Sequence, residues 1–95
     1  MGQNQETYVV FYHEDIPQDI ANIDNFWREQ ITIAIEHKLF TKPDVFGKPL
    51  RRSLKGCRTL RVGDYRVVFK IQGKQVYVLS ISHRSKDYRD IEYRI

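Results

Sequence analysis

Apolar and polar positions change their period partway along this chain, and the change separates a helical first half from a strand-rich second half. Residues 7–12 are aromatic, β-branched or threonine throughout, which suits a pleated, half-buried strand. His13, Glu14, Asp15, Ile16 and Pro17 interrupt it. Proline fits a first helical turn, where its missing N–H has no partner to lose, and acids near that turn suit the positive helix end. A short helix is therefore predicted over residues 17–23. Asp24 is a natural N-cap for a second, longer helix over residues 25–40. Within it Trp27, Ile31, Ala34, Ile35 and Leu39 recur at three- and four-residue steps, the spacing of one buried stripe. Phe26 and Ile33 fall off that stripe and are free to meet a second surface.

The helix must end before Pro43, which also constrains Lys42. Residues 41–52 hold two prolines and a glycine and read as an ordered, irregular connector. From Cys57 the period becomes two. Residues 58–62 alternate, Gly63-Asp64 turns, residues 65–71 form a second strand, Gln72-Gly73-Lys74 turns again, and residues 75–82 form a third. The tail from Arg84 is polar and carries tyrosines, enough for one or two helical turns. No internal repeat, low-complexity tract or domain boundary interrupts the chain. The order strand, helix, helix, strand, strand, strand predicts a single α+β domain: two N-terminal helices packed on one face of a small, mainly antiparallel, twisted sheet. The second face of that sheet is expected to be largely open.

Composition narrows the function classes. At 95 residues the chain supports one small core and excludes a large cleft between two lobes. No apolar run approaches the roughly 20 residues that span a bilayer. The first ten residues lack a basic segment followed by an apolar stretch, so the expectation is a cytoplasmic protein with no membrane partner. Cys57, the single cysteine, permits neither an internal disulfide nor a cysteine-based metal cluster.

The net charge of +4 conceals a strong polarity. Residues 1–47 carry eight acids against three basic residues, whereas residues 48–95 carry thirteen basic residues against four acids. Such a field attracts polyanions. Period-2 alternation places Arg66, Val68 and Lys70 on one face of their strand, and Val67, Phe69 and Ile71 on the core side. Arg66 and Arg61 then project where no helix covers the sheet, with Tyr65, Tyr77 and Tyr88 interleaved nearby. Cations to hold phosphates and rings to stack bases are the usual chemistry of single-stranded nucleic acid recognition. Arginines on an ordinary solvated strand face fit the same pattern.

No Gly-rich phosphate loop, His-Glu-x-x-His or nucleophilic triad is present. His13, His37 and His83 are too scattered for a metal site, so neither metal nor cofactor is expected. Cys57 reads as a small buried residue, not a nucleophile. Any cleavage without metal would fall to arginines and a tyrosine. RNA allows this, because its own 2′-hydroxyl can attack the neighbouring phosphate.

Four segments taken together carry a resemblance: Gly47-Lys48-Pro49-Leu50, Leu54-Lys55-Gly56, Leu60-Arg61-Val62-Gly63-Asp64-Tyr65-Arg66, and His83-Arg84 followed by Tyr88. With looser matches at Ile16-Pro17 and from Ile35 to Pro43, the chain from Tyr8 onward resembles the RelE toxins of the RelE/ParE toxin–antitoxin superfamily. The resemblance implies a small α+β toxin neutralised by a cognate antitoxin, which enters the ribosomal A site and cuts mRNA by metal-independent 2′-hydroxyl attack. It implies that Arg66 stabilises the phosphorane-like transition state and that Arg61 holds phosphate. Arg84 would assist charge neutralisation or leaving-group protonation, and Tyr88 would stack on the nucleotide. Arg52, Lys55, Arg58 and Lys86 would bind ribosomal RNA. Two positions that are lysine in a well-studied RelE fall on Cys57 and Thr59 here. Either the base comes from elsewhere, from His83, a residue type that titrates near neutrality, or a shifted Arg58, or this chain is a less active member. His83 also fits a role capping its strand. A non-catalytic alternative is a ParE-like gyrase inhibitor or an antitoxin-binding module of the same fold. The nuclease reading requires Arg61, Arg66, Arg84 and Tyr88 to converge on one patch.

Overall fold

The computed structural model describes residues 7–95, the side chain of Asp90 excepted. Its elements run β1 (Val9–Tyr12), α1 (Ile16–Ala21), α2 (Asn25–Ala34), α3 (Pro43–Phe46), β2 (Lys48–Pro49), β3 (Arg58–Val62), β4 (Tyr65–Gln72) and β5 (Gln75–His83). Short 3₁₀ turns cover Arg52–Leu54 and Arg89–Arg94. The five strands lie in the order β1-β5-β4-β3-β2, with β1 parallel to β5 and every other pairing antiparallel.

Asp24 caps α2 as its side chain predicts, accepting the Trp27 N–H at 3.0 Å. The helix continues through Ile35–Leu39 as a single π-helical turn. Ile31, Ile35 and Leu39 stay on the buried side across it, whereas Phe26 and Ile33 are exposed. The α1 helix starts one residue before Pro17 and stops at Ala21, short of the predicted Ile23, although Ile23 is buried.

Two expectations need correction. The connector is more regular than its prolines suggest, for it forms the one-turn α3 and the edge strand β2, in which Lys48 pairs with Thr59 and Pro49 with Arg58. Two residues are too few to display a period, and proline is tolerated on a sheet edge. Gly47 makes the pairing possible: a Cβ there would sit 2.4 Å from the ring of buried Phe69. Nor is the second face of the sheet largely open. Leu54, Cys57, Val68, Leu79 and Ile91 form a small core of their own on it, beneath the connector and the C-terminal turn.

A β-bulge explains how β5 serves both cores. Val68 pairs with Ser80 and Phe69 with Val78, so Leu79 is an extra residue in β5. Val76, Val78 and Ile81 therefore share the helix-side core with Leu60, Val67 and Phe69, while Leu79 turns to the other face. The charge polarity of the chain becomes a polarity of layers, since Asp19 lies in α1 and Glu29 in α2 while Arg61 and Arg66 lie on the strands. No helix among the described residues is long and apolar enough to cross a membrane.

Candidate nucleic-acid interface

Directly opposed residues on neighbouring strands share a face. Arg61 of β3 lies opposite Arg66 of β4, and Arg66 opposite Ser82 of β5. One row further on lie Thr59, Val68 and Ser80. Both rows face away from α1 and α2. The hairpin that aligns them depends on Gly63, whose φ of +60° and close packing under the Trp27 ring leave no room for a Cβ.

Arg66 is held from the far side by the C-terminal segment. Its guanidinium carbon lies 4.3 Å from the centre of the Tyr88 ring, a cation–π contact. One terminal nitrogen donates to the Arg84 carbonyl at 3.0 Å and also to the Lys86 carbonyl. Its Nε is buried with no hydrogen-bond partner, as are Thr59 Oγ1 and Ser80 Oγ on the same face. Among the described residues no carboxylate pairs with Arg61 or Arg66, so two like charges stand side by side without a counter-ion.

The remaining predicted residues divide. Arg84 reaches this cluster through its main chain, while its Nε pairs with Asp64 Oδ1 at 3.2 Å on the rim, where both side chains are well exposed. Lys86 is exposed beside Tyr88. Arg52 and Lys55 are exposed on the connector, and Arg52 has a φ of +60°. Ser53 ties that connector to the C-terminal turn through Glu92 at 2.5 Å. Arg58 and His83 lie on the helix side of the sheet instead. Arg58 donates to the Asp44 carbonyl at 2.9 Å. The His83 ring meets Tyr65 edge-on, and its Nδ1 accepts the Ser85 N–H at 3.1 Å, which caps the end of β5.

Thr59 continues the Arg61 line along β3, and Cys57, just before the strand, is buried in the second core on that side of the sheet. Burial pushes the Cys57 thiol above its ordinary range, with nearby Lys70 opposing, and keeps it protonated. Among the described residues no group of three or more His, Cys, Asp or Glu side chains is placed to hold a metal ion.

Residues 10–88 match the family model described as the ParE toxin of type II toxin–antitoxin systems. The chain belongs to that toxin family. Within 53 residues it is 43% identical to Toxin RelE of Mycobacterium tuberculosis, over 54% of this chain and 55% of that protein. Toxin RelG of the same organism is 40% identical over 53 residues, covering 54% of this chain and 61% of that protein. The matched stretch thus spans little more than half the length of either curated relative. Across the fold, the toxin–antitoxin complex RelBE2 of Mycobacterium tuberculosis superposes with a TM-score of 0.78 at 25% identity, covering 90% of this chain and all of the matched one. Within that family of type II toxin–antitoxin toxins, the chain is similar to RelE toxins in sequence and in fold.

Three groups that organise this toxin's basic face escape sequence reasoning. Asp64 engages Arg84 only because the β3–β4 turn meets the end of β5. Arg94 anchors the C-terminal turn on Asp19, 75 residues away, and no local signal links them. Ser80 and Ser82 did leave a trace, as two polar residues spaced by two in an apolar strand.

Proposed function

We propose that this toxin is a ribosome-dependent mRNA endonuclease that inhibits translation by cutting in the A site. The observation that carries the reading is the Arg61–Arg66 pair. Like charges directly opposed on a sheet cost stability, and a fold keeps such a pair where function uses it. Two uncompensated guanidinium groups with an aromatic ring stacked on one of them fit a phosphodiester and its attached base.

In the mechanism this supports, the 2′-hydroxyl attacks the adjacent phosphate, losing its proton to a base. The 5′-oxygen leaves and takes up a proton, giving a 2′,3′-cyclic phosphate and a 5′-hydroxyl. Arg66 and Arg61 oppose the negative charge that builds on the phosphoryl oxygens. Tyr88 holds the nucleotide in line. Arg84 joins by exchanging Asp64 for phosphate, a small cost because exposed pairs contribute roughly 0–1 kcal/mol. The nucleophile belongs to the RNA, so the scheme requires neither metal nor cofactor. The base is supplied by RNA, ribosome or His83 acting round the end of β5. Arg52, Lys55, Lys86 and, from the other face, Arg58 contribute to ribosomal RNA binding. The site of action is the cytoplasm, and the cognate antitoxin presents acidic and amphipathic segments to the basic half.

Primer extension on mRNA from expressing cells tests this, comparing wild type with Arg66→Ala and Tyr88→Ala. Discrete cuts within translated codons are expected, with cleavage reduced roughly 100-fold or more in Arg66→Ala. Growth arrest with intact mRNA would favour the second reading, a non-catalytic gyrase inhibitor or antitoxin-binding module. The ParE family match and the neutral Cys57 and Thr59 are the observations on its side.

A further inference from the structure

The two edges of the sheet are built differently. The β2 edge is Lys48-Pro49, and lysine and proline are residues that keep a strand edge from pairing with another chain. The β1 edge is Val9-Val10-Phe11-Tyr12 and carries neither. Val9, Phe11 and Tyr12 are 55%, 42% and 49% exposed. The main chain of β1 is open on its outer side as well. Val9 and His13 donate their N–H groups to the carbonyls of Lys74 and Val78, both at 2.9 Å, so the odd-numbered residues bond toward β5. Val10 and Tyr12 therefore turn their N–H and C=O groups outward, where the sheet has no further strand. An uncharged, apolar edge of this kind is a template for one more strand.

Three features select a second copy of this chain as that strand. A twofold axis through Phe11, perpendicular to the sheet, pairs Val10 of each copy with Tyr12 of the other and satisfies the outward main-chain groups of both. The same axis sets the two Phe11 side chains directly opposite each other. Phe11 already stacks on Tyr77 of β5, with ring centroids 5.3 Å apart and 18° between planes, and belongs to neither core. The exposed sides of the two Phe11 rings then meet, and each Phe11–Tyr77 stack continues across the axis. Charge favours the antiparallel arrangement too. Glu14 is exposed just past one end of β1, and Lys74 sits over the Tyr8 ring at 4.7 Å beside the other end. Antiparallel pairing brings Glu14 of each copy toward Lys74 of the other, whereas parallel pairing would set like beside like.

We propose that β1 is a self-association edge through which two toxin chains join their sheets into one continuous sheet. The helices of both copies stay on one face. Arg61 and Arg66 lie on β3 and β4, away from the β1 edge, and remain uncovered in each copy. The contact is only a four-residue strand long, short of the roughly 1,000 Å² that a stable interface buries, so the dimer is weak and depends on concentration. The inference is independent of the nuclease reading.

Sedimentation velocity on the free toxin, from about 10 µM to 1 mM, tests this. The average mass is expected to rise toward that of a dimer across the range. Phe11→Lys places two ammonium groups together at the axis and touches neither core, so it should keep a wild-type circular dichroism spectrum and stay monomeric throughout. Oxidative cross-linking reads the register. Phe11→Cys should form a disulfide-linked dimer at least tenfold faster than Val9→Cys, whose two copies stand roughly 13 Å apart along the paired strands, too far for a disulfide. Buried Cys57 is present in both variants, and wild type measures its background. A wild-type toxin that stays monomeric at 1 mM, a dimer that survives Phe11→Lys, or equal cross-linking of the two cysteine variants would each overturn the proposal. So would β1 amides that gain exchange protection only when the antitoxin is bound, which would assign this edge to an antitoxin strand.

Discussion

Arg94, in the closing 3₁₀ turn, grips Asp19 of α1 through two hydrogen bonds, Nη1 to Oδ2 at 2.7 Å and Nη2 to Oδ1 at 3.1 Å. The same Asp19 oxygen that receives Nη1 also accepts the Ile81 N–H at 3.0 Å, and Nη1 also donates to the Leu79 carbonyl at 2.9 Å. One ion pair thus satisfies a main-chain carbonyl in the β5 bulge and an N–H just beyond it, and ties down the segment that carries Tyr88. Both side chains are mostly buried. Removing one partner strands the other, so Asp19→Ala should destabilise the fold by roughly 3–5 kcal/mol. Urea denaturation measures this. A midpoint within error of wild type would show that the pair holds nothing.

Gly63 and Gly73 both have a φ of +60°, but only Gly63 lies against a side chain, with a Cβ there 2.3 Å from the Trp27 ring. Gly73→Ala should therefore cost about 1 kcal/mol, from backbone strain alone. Gly63→Ala adds overpacking and should cost about 3 kcal/mol. Thermal melts of the two variants separate backbone strain from packing. Equal losses would mean that Trp27 moves aside freely.

Cys57 is buried in the second core, and burial raises its thiol above the ordinary range. At neutral pH the thiol is protonated in folded and unfolded chains alike and contributes no pH dependence. Above the ordinary thiol range only the unfolded chain ionises, so stability falls as pH rises past it. A thiol-reactive dye at pH 8 should label Cys57 only as fast as the second core opens. Labelling at the rate of a free thiol would place Cys57 in solvent.

The strands of the second half were legible because each has enough residues for its period to show, and Asp24 announced the start of α2 by its chemistry. What escaped was non-local or too short. The two-residue β2 displays no period, and its proline argues for an irregular connector. The parallel seating of β1 beside β5 depends on a crossover that no local pattern encodes. Alternation correctly placed Arg61 and Arg66 away from the helices, since both precede the bulge partner on regular β3 and β4 segments. It could not foresee that Leu79 is an extra residue, which shifts Ser80 and Ser82 onto the arginine face. The placement of Arg84 and His83 follows from how the chain leaves β5, through contacts with Asp64 and Ser85 that sequence adjacency does not reveal.

Under the proposed nuclease reading, the Arg61–Arg66 pair sets stability against activity. The two guanidinium groups occupy directly opposed positions on one face, with no carboxylate paired to either among the described residues. Arg61→Gln removes the repulsion, keeps a polar side chain of similar length and leaves both cores untouched. It should raise stability by about 0.5 kcal/mol at low ionic strength. The gain should shrink in 1 M salt, where the screening length falls to about 3 Å. On the proposed mechanism cleavage of mRNA should fall at the same time, because one of the two cations assigned to the phosphate is lost. Melting curves at two salt concentrations, taken beside primer extension, read both effects from one variant. Arg61→Gln that melts lower than wild type in low salt would mean that Arg61 supports the fold, and the argument that this pair is retained for function would fail.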